Sequence, residues 1–145
     1  MSKTQRPDDQ FRDERLIKQR LRELENSLHV ELLTVGVDIS FGANWGNPDA
    51  GYSPPYCWLN RGWVYFGGTF KKLTSESMNA NPMCVLPDAF QPGGIETFIT
   101  RFGLASGNAT TGVHVLSNGE VRTNNSSTTP NIMIGMGGVH FRVVS

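Results

Sequence analysis

Between residues 16 and 41 the chain reads LIKQRLRELENSLHVELLTVGVDISF, and the spacing of its apolar residues changes partway through. Ile17, Leu21, Leu24 and Leu28 recur at steps of four, three and four, the a/d rhythm of a coiled-coil helix. From Leu33 the step falls to two. Leu33, Val35, Val37, Ile39 and Phe41 alternate with Thr34, Gly36, Asp38 and Ser40, which is the pattern of a half-buried strand. The expected layout is an extended arm over 1–11, a helix over 12–31 and a β body over 32–145.

Charge follows the same division. Residues 1–30 hold half of all the Lys, Arg, Asp and Glu in the 145-residue chain, with both signs present, and the net charge of the whole is +0. The body's basic residues (Arg61, Lys71, Lys72, Arg101, Arg122, Arg142) are scattered, so a nucleic-acid footprint is not expected. Neither a bilayer-spanning run nor a secretory apolar segment is expected from the sequence.

With Leu21 and Leu28 at a and Ile17 and Leu24 at d, Asp13 with Lys18 and Arg20 with Glu25 become g–e′ pairs of opposite sign. This register predicts a parallel coil of several chains, with Leu at a and Ile at d leaning towards three or four strands. Glu14 and Glu31 interrupt the seam and leave roughly two heptads, so the body must supply most of any interface. A single amphipathic helix packed on its own domain is the other reading of the same spacing. The arm, with Pro7 and Phe11, is the expected attachment to a larger assembly.

In the body, Val64, Phe66, Gly68 and Phe70 alternate across 63–72, MCVL (83–86) ends at Pro87, and another strand is expected over 95–104. Asn118-Gly119 separates Val113–Leu116 from Glu120–Arg122 and predicts a type I′ hairpin. Ile132, Ile134 and Met136 lead through two glycines to Val139, Phe141 and Val143. Many short strands without a second helical pattern predict a mainly β fold, an antiparallel sandwich or jelly-roll-like knob.

The sequence assembles no catalytic set. His29, His114 and His140 are far apart, neither His-x-x-x-His nor Cys-x-x-Cys occurs, and the acids of the body are spread singly, so no enzyme, cofactor or metal site is expected. Cys57 and Cys84 are expected as reduced core residues. The loop 42–58 stands out as a ligand surface. Trp45, Tyr52 and Tyr56 lie there with Asn47 and Asp49, rings and polar groups that suit the C–H faces and hydroxyl edges of sugars. The alternative is that these rings plug the body, with Trp58 as its core member.

Four segments in order resemble the knob domains of bacteriophage fibre and minor tail proteins: WVYFGGTFKK (63–72), MCVLPDAFQP (83–92), VHVLSNGEV (113–121) and IMIGMGGVHF (132–141). The loop at 42–56 and the absence of a long shaft depart from that pattern. The resemblance implies a homotrimeric virion surface protein, made in the host cytoplasm, that contacts other virion proteins and attaches to host-surface glycan. A capsid decoration or head-fibre protein with a structural task is a second reading, and a free carbohydrate-binding module a third.

Overall fold

The computed structural model describes residues 7–27, 30–104 and 107–143, without the side chains of 7–11, 25–27 and 104. Helix α1 spans Pro7–Ser27. It starts inside the stretch expected to be extended, so the arm is corrected at 7–11. The local reason is readable: proline suits the first helical turn, where its missing N–H costs nothing. The helix also ends before Glu31, which lies in a strand opposite Leu59. Leu28 lies outside the described residues. Leu16, Ile17, Leu21 and Leu24 are about half exposed, and none of them enters the core.

The described body contains β1 (Val30–Thr34), β2 (Trp45–Gly46), β3 (Tyr56–Asn60), β4 (Trp63–Gly67), β5 (Thr69–Lys72), β6 (Cys84–Val85), β7 (Glu96–Leu104), β8 (Gly107–Val115), β9 (Glu120–Thr123), β10 (Met133–Gly135) and β11 (His140–Arg142). Four strands form one sheet in the order β1-β3-β4-β11. Seven form the other, β2-β5-β10-β7-β8-β9-β6. All registered strand pairs are antiparallel. The body is thus mainly β and antiparallel, as the alternation predicts.

Three boundaries differ from the expectation, each for a local reason. The alternation over 33–41 is not one strand. β1 stops at Thr34, Gly36 takes a φ of +94° and its N–H donates to Ile39 O at 2.6 Å. A tight turn folds Val35 and Ile39 inward and leaves Val37 exposed at its tip. The stretch 63–72 likewise breaks at Gly68, with φ +77°, where a Cβ would sit 2.0 Å from Pro54 O. β4 therefore belongs to the small sheet and β5 to the large one. β10 and β11 divide in the same way, β10 against β5 and β11 against β4, so the last two strands are not a pair. At 116–119 the Gly119 N–H donates to Leu116 O (2.9 Å), and only Gly119 has positive φ, at +90°. That is a longer hairpin loop closed by a left-handed glycine, not the type I′ turn.

One buried cluster joins both sheets: Cys57, Val64, Phe66 and Phe141 from the small one, Phe70, Phe102, Val113, Val115, Val121 and Ile134 from the large one. Lys72 is the anomaly among the buried residues. It is fully buried, its ammonium donates to Thr129 O at 3.1 Å, and burial lowers its pKa while Glu76 partly opposes that.

Candidate functional site

Strand alternation decides which side chains the small sheet shows to solvent. Cys57 and Leu59 of β3, Val64 and Phe66 of β4, and Phe141 of β11 point into the core. Their neighbours must face outward, and these are unusually aromatic: Tyr56 and Trp58, Trp63 and Tyr65, and His140, with Val30 and Leu32 on β1. Register lines them up. Leu32 opposes Trp58, Trp58 opposes Tyr65 and Tyr65 opposes His140, giving one row across all four strands.

The rings touch along that row. Trp58 and Tyr65 have centroids 5.0 Å apart with planes 19° apart, and Tyr65 and His140 are 6.0 Å and 15° apart. Tyr56 extends the series from Trp58 at 6.1 Å and 19°, and Trp63 meets His140 at 6.0 Å and 40°. Tyr56 lies across Gly67, its register partner, where a Cβ would come within 2.4 Å of the ring. Glycine there lets the ring lie down on the strand. The His140 Nδ1–H donates to Gly138 O at 2.9 Å, which leaves Nε2 for another partner. Val30 and Leu32 remain more than 60% exposed at the edge of the face. Such cross-strand aromatic pairs hold the rings in place.

The residues expected to bind from the 42–58 loop do not gather. Trp45 is only 4% exposed, stands edge-on to Phe70 at 6.4 Å and pairs through β2 with Lys72. It is a core residue, against the expectation that it contributes to a ligand surface. Asp49 is taken up by an ion pair with Lys71 at 2.6 Å. Asn47 and Tyr52 are exposed, the latter on a turn closed by its own N–H donating to Asp49 O (3.2 Å). Tyr56 sits on the aromatic face instead. Trp58, read as the core member of the loop, is in the ring row. Trp63, Tyr65 and His140 were not singled out, although the alternation that placed Val64 and Phe66 inside already put Trp63 and Tyr65 outside.

Among the described residues no three His, Cys, Asp or Glu side chains come together as metal ligands, and no helix is long and apolar enough to cross a membrane. Cys57 and Cys84 are buried and free, and burial raises both thiols, Cys57 to about 12. They are unsuited to nucleophilic work.

No family model and no curated protein matches the sequence. The fold does have a counterpart. The crystal structure of the receptor binding protein of Listeria phage PSA superimposes with a TM-score of 0.61, over 99% of this chain and 83% of that one, at 10% sequence identity. The likeness is one of fold. It extends along nearly the whole chain.

Proposed function

We propose that the chain is a phage virion surface protein acting in host attachment, and that the aromatic face of the small sheet takes up a host-surface glycan. The observation that carries this reading is the row Leu32–Trp58–Tyr65–His140 with Tyr56 and Trp63 beside it. These rings lie on the sheet face opposite the core, and the buried cluster includes none of them. Sugar rings offer C–H faces to aromatics, while the tyrosine hydroxyls, His140 Nε2, Asn60 and Arg142 supply polar contacts around them. The fold shared with a phage receptor binding protein along nearly the whole chain supports the virion setting. On this reading the two sheets are the leaves of a sandwich-like knob, and α1 is one strand of a parallel trimeric coil. Residues 1–11, with Pro7 and Phe11, are the tether. Asn47 and Tyr52 remain the loop's contribution.

Trp58→Ala and Trp63→Ala test it. Each should weaken adsorption of purified protein to host cells roughly ten- to hundredfold, the cost of losing an aromatic anchor, with the melting temperature almost unchanged. Unaltered adsorption would reject the aromatic face as the receptor site. A second reading, capsid decoration, draws on Val30 and Leu32, which lie apolar and exposed on β1. Under it the same substitutions would impair oligomer formation or particle incorporation and leave adsorption per particle intact.

A further inference from the structure

The outer face of the large sheet carries a different arrangement. Thr97 of β7, His114 of β8 and Arg122 of β9 stand in register across three adjacent strands. They line a groove of about 560 Å³ whose apolar part is Ile95 and Leu116 and whose wall includes Asn79 and Asn124. That volume lies within the ~300–1,000 Å³ usual for small-ligand sites.

The polar groups are held ready. Thr97 Oγ1 and His114 Nδ1 are hydrogen-bonded at 3.0 Å, which orients the imidazole and leaves its Nε2 unengaged among the described residues. Arg122 is gripped by Glu120 on its own strand, Nε to Oε2 at 3.0 Å and Nη2 to Oε1 at 3.3 Å, and its Nη1 donates to Asn79 O at 3.4 Å. Asn79 Oδ1 accepts from Ser77 Oγ at 2.6 Å, so its amide N–H groups remain to donate. Asn124 has no side-chain partner among the described residues and lies over Gly112, where a Cβ would come within 2.8 Å of its amide. Glycine at 112 clears that space.

We infer that this groove binds an uncharged saccharide unit, at a site separate from the aromatic face. Charge decides the class. The guanidinium is already neutralised by Glu120, so a phosphate, sulfate or carboxylate on the ligand would have to break that pair or lie against its carboxylate. A cation would meet the guanidinium. A neutral ring is free of both costs. Its hydroxyls find the donors and acceptors of His114, Asn79 and Asn124, while one C–H face covers Ile95 and Leu116. Two unlike sites on opposite sheets would let one subunit engage two parts of a surface polymer and add their affinities through high local concentration.

The test is a titration of the ¹⁵N-labelled full chain with the methyl glycosides of glucose, galactose, N-acetylglucosamine and rhamnose, and with glucose 6-phosphate as the charged counterpart. Saturable shift changes centred on residues 95–97, 112–116 and 122–124 are expected with at least one neutral sugar, with weaker binding of the phosphate. His114→Ala and Asn124→Ala should each lower that affinity about tenfold, as for lost hydrogen bonds in a shaped site. Thr97→Val, nearly the same shape, should weaken it through the unanchored imidazole. Each variant's amide spectrum reports whether it has folded. The inference is overturned if none of the four sugars gives saturable shifts, if the shifts map to 56–65 and 140, or if the phosphorylated sugar binds more tightly. It also falls if all three groove variants retain full affinity. Loss of this site would leave the aromatic-face reading standing, because Trp58 and Trp63 are tested by adsorption.

Discussion

Single residues show how narrowly the body is fitted. Gly42 donates its N–H to Met83 O (2.9 Å), and a Cβ on it would lie 1.7 Å from Pro82 O. Two backbone segments meet there with no room for a methyl group. Gly42→Ala should cost about 3 kcal/mol, as overpacking against rigid backbone does, and urea unfolding measures it. The thiols give a pH dependence with a definite sign. Burial is the main cause that raises Cys57, with the carboxylates of Glu31 and Asp38 adding to it, and burial likewise raises Cys84, with Cys57 as the lesser cause. The native state therefore keeps protons that the unfolded chain releases above its ordinary thiol pKa. Stability is whole below that pH and falls as pH rises through the window up to about 12 for Cys57. The expected loss is about 1.4 kcal/mol per thiol by about pH 10. Lys72 acts in the opposite sense: its folded pKa is lowered, so its contribution grows with pH. Cys57→Ala and Cys84→Ala should each flatten the alkaline decline, and Lys72→Met should steepen it. Urea unfolding at about pH 7 and about pH 10 distinguishes the three. Equal slopes in all of them would refute the linkage.

At the scale of elements, periodicity was readable and its direction in space was not. The leucine steps and the alternation gave a helix and strands, and Asn118-Gly119 gave the β8–β9 hairpin. Alternation records which residues are buried, and a tight turn such as 35–39 buries Val35 and Ile39 as well as a strand would. Nor does it record which sheet a strand joins. The change of sheet at Gly68 depends on contact with Pro54, and such a contact leaves no pattern of its own in the sequence. The candidate site was missed for a related reason: composition pointed to the aromatic-rich loop, and register moved the rings to the sheet. The start of α1 was legible in Pro7-Asp8-Asp9, but apolar spacing does not mark it, because that turn has no apolar side chain at a seam position. The helix itself supports a prediction. If Ile17 and Leu21, both more than half exposed, lie on the seam proposed for α1, the helix should depend on a partner to persist. Leu21→Glu should lower the helical part of the far-ultraviolet signal and shift the mass seen by native mass spectrometry towards the monomer. A wild-type chain that is already a stable monomer at micromolar concentration would end the coil reading.

For the whole molecule, the separation of helix from core has a consequence for adsorption. Every residue of the buried cluster lies between Val35 and Phe141, and the described side chains of α1 contribute none. The body should therefore keep its own fold when residues 1–27 are removed, with a Tm within a few degrees of the monomeric body in the full chain. Attachment should respond differently. If three bodies are joined through the coil, a surface carrying many copies of a weak ligand is held by linked contacts, and linkage raises apparent affinity by roughly 10²–10⁴ without any new contact. Deletion of 1–27 should thus leave binding of a soluble monovalent sugar unchanged while adsorption to whole cells falls by about that factor. Fusing the shortened chain to an unrelated trimeric coil should restore adsorption, because only the linkage is missing. Failure of this rescue, with the body folded and still binding soluble sugar, would mean that the helix does more than join copies. Residues 1–27 would then have to contact the receptor or the virion directly.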